Sequence, residues 1–209
     1  MSIDMHSHSG HQESHGHHEH PDVVGSRNRL GVILLIVADV AFALGIVFTY
    51  FYLRSQNIND GWLPKATEET KAILPVGNKG AITVTLIAAF GYFMHWVALK
   101  GARAKNDAQL KLGGLVAFLA SVVALVIQNQ QIANAPFTFF NGGYASCYYL
   151  ITILNEVHLI LTVLIALGNW NRSRKGLYRA NYWHVEIVNI WWLWMVISSA
   201  LGAFALSFN

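Results

Sequence analysis

Apolar and polar positions along this chain separate into long blocks. Five runs are predominantly apolar: Leu30 to Leu53, Gly80 to Leu99, Leu112 to Ala133, Gly142 to Trp170 and Asn181 to Phe208. A run of about 20 such residues crosses a hydrocarbon core of about 30 Å. Lipid offers backbone groups no hydrogen-bond partner, so each run has to be helical. The pattern predicts an all-α fold, a polytopic membrane bundle of five transmembrane helices. The first run is longer than the apolar region of a cleavable signal and has no small-residue cleavage site after it, so it reads as a retained helix. The third is the most polar at its end, through Gln128, Asn129, Gln130 and Gln131.

The remaining segments are of different material. Residues 1–25 hold seven of the ten histidines among Ser, Gly and Glu with little to bury, and are expected to be a disordered tail preceding a membrane domain of residues 26–209. Its histidines, His15, His17, His18 and His20 among them, have no fixed ligand spacing. A solvated tail is the first reading and weak imidazole binding of Zn, Cu or Ni the alternative. The link from Ser55 to Asn78, with Asn59, Asp60 and Gly61 and two prolines, Pro64 and Pro75, is too long for a simple turn and is expected to pack on the bundle or on a partner.

Composition agrees with the pattern: 54% hydrophobic and 12% charged residues, with a mean hydropathy of +0.39, cannot be hidden in a soluble domain of this size. The net charge of +3 does not signal nucleic acid, because the basic residues fall in the links between spans. Ten Lys and Arg lie on one side (Arg27, Arg29, Lys100, Arg103, Lys105, Lys111, Arg172, Arg174, Lys175, Arg179) and four on the other (Arg54, Lys65, Lys71, Lys79). Positive residues resist translocation, so the N-terminus is expected to be cytoplasmic and the C-terminus external. Cys147, the single cysteine, lies within a span and reads as a small buried hydrophobe.

Polar groups inside the spans are the candidate chemistry. Asp39 falls near the midplane, where an ionised carboxylate costs on the order of 3 kcal/mol or more, so it is expected to be protonated, paired or at an internal cavity. On the fourth span Asn155 and His158 share a face while Glu156 is turned toward another, which implies contacts with two neighbours. His95 and His184 lie toward the cytoplasmic ends of their spans, at a depth unlike that of His158. Interhelical hydrogen bonding is therefore expected of the three before haem ligation, which needs matched ligands. Tyr182, Trp183 and His184 fit an interfacial belt, Trp191, Trp192 and Trp194 are expected to pack inside, and Glu186 and Asn189 are expected to meet one neighbour. The chain has no P-loop, dinucleotide fingerprint, CxxC or HExxH, and no Gly/Pro-broken repeat of the transporter kind.

From Arg27 onward the chain resembles subunit III of the haem-copper terminal oxidases, the cytochrome c oxidase family, in a short form with five spans. The segment Ala135 to Ser146, APFTFFNGGYAS, is similar to that family's APFT followed by a D/N-G-x-Y-G-S turn. Tyr182, Trp183 and His184 resemble its YWH, and the first span resembles its R-x-G, S-E and F-x-x-Y-F-x-x-R series, with Trp62 and Pro64 following in the family's order. Departures concentrate at polar positions. Asp39 stands for a buried Glu, Gln131 for a Glu, Asn155 for the first His of H-G-L-H with His158 retained, and Glu156 for a small residue, while Glu186 stands one place early.

The resemblance implies a non-redox accessory subunit in a bacterial or archaeal plasma membrane. It would bind beside subunit I, with subunit II and small subunits nearby, hold phospholipid, steady the catalytic centre and support proton uptake. Haem and copper would sit in the partners and none in this chain. Asp39, Arg54, Glu156, His158, Tyr182, Trp183, His184 and Glu186 become candidates for lipid or interhelical contacts. The equivalent subunit of a quinol oxidase or nitric oxide reductase is the nearest alternative. A proton or metal transporter, motivated by Asp39, Glu156 and the tail, and a haem anchor, motivated by His95, His158 and His184, are the others.

Overall fold

A computed structural model describes residues 21–66, 72–179 and 181–208. Its helices are α1 (Pro21–Gln56), α2 (Lys79–Arg103), α3 (Asp107–Ala133), α4 (Gly143–Arg174) and α5 (Trp183–Ala205), with one 3-10 turn at Ile58–Asp60. All five are long and apolar enough to cross a membrane, and the chain is an all-α integral membrane protein. α1 starts inside the segment expected to be a tail, with Pro21 as its first residue, where the missing N–H costs a helix nothing. His15, His17, His18 and His20 lie outside the described residues.

α2, α3, α4 and α5 close a ring in which each packs on two neighbours, and α1 lies in the groove between α4 and α5. Small residues make the tightest contact, between α2 and α3. The buried face of α3 runs Leu110, Gly113, Gly114, Ala117, Ala120, Ser121, Ala124 and Gln128, at helical spacing. A Cβ on Gly113 would come within 2.9 Å of Ala98 N, and one on Gly101 within 2.7 Å of Leu110 N. Backbones that approach this closely gain the dispersion contacts and hydrogen bonds that drive helix association where the hydrophobic effect is absent. α1 buries little: Leu30, Leu34, Val37, Phe42 and Phe48 face outward.

At one end of the bundle the α1–α2 link folds onto the α3–α4 turn. Trp62 is buried edge-on to Tyr50 and Tyr144, and the carbonyls of Gly61 and Trp62 accept from the backbone N–H groups of Gly143 and Tyr144. The APFTFFNGGYAS segment is this turn. Asn141 Oδ1 accepts from Thr138 N at 2.6 Å and Thr138 Oγ1 at 2.7 Å, and Ser146 Oγ donates to the Phe139 carbonyl at 2.7 Å. Gly142 has φ 117°, and a Cβ there would meet Pro64 at 2.8 Å, so both its conformation and its neighbour demand glycine. Cys147 is buried and unpaired.

Candidate functional site: polar groups within the helix bundle

The midplane carboxyl is paired. Asp39 on α1 accepts through Oδ2 from Trp194 Nε1 of α5 at 2.5 Å and meets His158 Nε2 of α4 at 2.8 Å. The other imidazole nitrogen, Nδ1, faces Ser198 Oγ at 3.4 Å, and the Trp191 ring lies edge-on at 5.8 Å. Trp191 in turn donates to Thr162 Oγ1 at 3.1 Å. Ala43, Trp191 and Trp194 form an apolar cluster beside this group. One carboxyl therefore ties α1 to both helices it packs on, as expected of a paired intramembrane Asp.

His95 occupies a second buried knot. Asn169 Nδ2 lies 2.9 Å from its Nε2, Asn189 Oδ1 lies 3.5 Å from its Nδ1, and Trp192 lies against its ring. Taking the Asn169 amide as donor makes Nε2 the acceptor and Nδ1 the protonated nitrogen, an assignment set by the network. Tyr178, in the α4–α5 link, donates its hydroxyl to Asn169 Oδ1. Burial pushes the Tyr178 phenol up to about 12, against the opposing pull of the Arg172 guanidinium. His95 does not meet His184, which stacks on Trp183 at 3.5 Å with Tyr178 at 6.0 Å.

The end of α3 that carries its four amides packs on α4. Asn155 Nδ2 donates to Gln128 Oε1 at 2.9 Å, Gln128 Nε2 to the Thr152 carbonyl at 3.4 Å, and Asn129 Nδ2 to Glu156 Oε1 at 3.0 Å. The two polar faces of α4 do meet two sets of neighbours, but they divide differently from the sequence expectation. Asn155 goes with Glu156 to α3, and His158 alone turns to α1 and α5. Between residues 155 and 158 the helix rotates about 300°, so a shared face still spans the seam between two partners.

At the opposite end Glu186 is held by two arginines, Arg103 of α2 at 2.9 Å and Arg29 of α1 at 3.2 Å. Glu186 and Asn189 both reach α2, as expected. Trp183 lies over Gly25, whose Cβ would sit 3.1 Å from the indole, and lines a groove of about 170 Å³ with Ser26, Arg29 and Glu186. Tyr182 caps the start of α5 and packs beside Tyr178 and Val185. Arg54 is half-buried in the last turn of α1. Among the described residues no three His, Cys, Asp or Glu gather as a metal-binding group.

Of the candidates, the structure brings together Asp39 with His158, and groups Tyr182, Trp183, His184 and Glu186 at one end, while Arg54 lies at the other. Sequence reasoning missed Ser198, Asn169, Tyr178 and Arg103. A signal existed for the main pair: Asp39 and His158 are each about 16 residues from the same end of the bundle, roughly 24 Å at about 1.5 Å per residue.

The arrangement defines a class: a polytopic membrane protein whose polar groups within the helices bond mostly to one another. Sequence comparison narrows the class. The family described as Cytochrome c oxidase subunit III matches residues 4–201. Cytochrome c oxidase subunit 3 of Synechocystis sp. is 28% identical over 204 residues, covering 94% of this chain and 82% of the relative. The proteins of the same name from Prototheca wickerhamii and Pongo abelii are 25% and 24% identical, over 87% and 88% of this chain and 71% and 72% of theirs. This chain belongs to the cytochrome c oxidase subunit III family, and so to a family whose members are subunits of a larger oxidase complex.

Proposed function

We propose that the chain is the non-redox accessory subunit of a haem-copper terminal oxidase that reduces O2 to water with proton pumping. It binds beside subunit I, with subunit II and small subunits nearby, steadies the catalytic subunit and supports proton uptake. The observation that carries this reading is the match of residues 4–201 to the subunit III family, and the contacts of both ring nitrogens of His95 and His158 with amide, hydroxyl and carboxyl groups agree with it. Those contacts leave neither imidazole directed at an open coordination position. In this reading electron transfer is assigned to the partners, with haem and copper in them.

The charge distribution supports a cytoplasmic N-terminus and an external C-terminus, because the end carrying Arg29, Arg103, Lys105 and Arg179 holds ten of the fourteen basic residues. In a bacterial or archaeal cell the membrane is then the plasma membrane. The groove of Ser26, Arg29, Trp183 and Glu186 presents a hydroxyl, an indole and the Arg29–Glu186 pair at the basic end of the bundle, which supports phospholipid headgroup binding there. The Asp39–His158 pair is the group suited to hold a proton on the path of uptake. The alternative is the equivalent subunit of a quinol oxidase or nitric oxide reductase complex.

The test is turnover of the purified complex with and without this chain. The proposal expects initial O2 consumption to persist after its removal and then to decay faster during sustained turnover. Immediate loss of all haem from the complex, carried away with this chain, would overturn it.

A further inference from the structure

A small, partly open cleft of about 20 Å³ lies where α1, α4 and α5 meet, lined by Ala43, Ile151, Leu154 and Leu201 and by two polar side chains, Asn155 and Ser198. The Asn155 amide is half satisfied. Its Nδ2 donates to Gln128 Oε1, while its Oδ1 is buried with no hydrogen-bond donor. Ser198 is 8% exposed and its hydroxyl faces His158 Nδ1 at 3.4 Å, which leaves it the capacity for a further bond. A water molecule needs about 10–15 Å³ and at least two polar partners, and this cleft has the volume and two polar side chains on its lining. A second cleft on the other side of Asn155, lined by Gln128, Thr152 and Ser199, has only about 10 Å³, and Ser199 is already bonded to Thr85 Oγ1 at 2.8 Å. The larger cleft is the better host.

We propose that this cleft is a binding site for a single internal water, which donates to Asn155 Oδ1 and shares a hydrogen bond with Ser198 Oγ. An acyl-chain methylene entering beside α1 would fill the same volume but has no donor for the amide oxygen, and a buried acceptor without a donor is costly. The water joins two networks. Trp194, Asp39, His158 and Ser198 on one side become continuous with Asn155, Gln128 and the Thr152 carbonyl on the other, a single hydrogen-bonded row from α1 to α3.

The site also has a chemical consequence. With the imidazole neutral and Nε2–H facing Asp39, Ser198 donates to Nδ1 and accepts from the water. With both ring nitrogens protonated, Nδ1–H donates to Ser198, whose own hydrogen turns to the water. Serine is both donor and acceptor, so the Ser198–water bond changes direction while the water keeps donating to Asn155 Oδ1, and its second O–H is then left without an acceptor on this lining. The site is made of this chain's own residues and does not depend on which oxidase the chain serves.

The experiment is a cryo-electron microscopy map of the full chain in the complex with which it purifies, at a resolution that places ordered water, for wild type and Ser198→Ala. The expected result is an isolated peak about 2.8 Å from both Asn155 Oδ1 and Ser198 Oγ, lost or moved toward Asn155 in the variant. An infrared O–H stretching band that shifts in H2 18O, present in wild type and lost in Ser198→Ala, is the matching readout. An empty cleft, or continuous density entering from the α1 side, overturns the proposal, and the wild-type map decides even where the variant fails to assemble.

Discussion

Replacing Asp39 by leucine removes the acceptor from two buried donors at once. Trp194 and His158 are 6% and 3% exposed, so neither finds water in compensation. Two orphaned donors at about 2 kcal/mol each would cost about 4 kcal/mol. Counted as two interhelical bonds at the average measured within membranes, about 0.6 kcal/mol each, the loss is only about 1 kcal/mol. The structure favours a value between these. His158 can shift its proton to Nδ1 and donate to Ser198 at 3.4 Å, which leaves one stranded donor, Trp194 Nε1. The expected loss is therefore about 2 kcal/mol, enough to change a folded-to-unfolded ratio about 30-fold. Asp39→Asn keeps a carbonyl oxygen where Oδ2 stands, so it should stay within about 0.5 kcal/mol of wild type and remain in the complex. Denaturant titration in mixed micelles, followed by tryptophan fluorescence, reads both variants. Equal destabilisation by Asn and Leu would refute the reasoning, because it would make the negative charge rather than the acceptor the source of stability.

Glu186→Gln should cost about 1 kcal/mol or less, since its arginines are half exposed, and the difference from wild type should shrink in high salt; a titration at two ionic strengths measures it. Gly113→Ala should destabilise by about 1–3 kcal/mol because its Cβ meets the backbone of α2. In the same assay Gly168→Ala, with nothing within 4 Å, should be neutral or stabilising by up to about 1 kcal/mol. The raised phenol of Tyr178 contributes stability that is complete below its ordinary value of 10.0 and is lost as pH rises toward about 12. The free energy of unfolding across that range should fall less steeply in Tyr178→Phe than in wild type.

The five spans were legible because bilayer thickness imposes a length that loops and soluble helices do not share. The third run ends at Ala133 as α3 does. The start of α1 was not legible: its first turns are polar, and a helix continuing past the hydrocarbon edge leaves no hydrophobic signature. What holds it there is Trp183 against Gly25, a contact between residues far apart in the chain. The polar residues of the site were legible one by one, but their pairing was not. His158 was compared with other histidines when its partner was a carboxyl, and Asn169 and Tyr178 carry no periodic or charge signal at all. Hydropathy reports which residues enter the membrane, whereas partners follow from the ring order of the helices, which five similar runs do not encode.

The most direct measurement of the central claim is a reduced-minus-oxidised absorption spectrum of material purified through this chain in mild detergent, before and after the chain is stripped away. Haem bands should be present in the purified complex and remain with the partners after stripping. Haem that follows this chain, or no haem in either fraction, would contradict the claim.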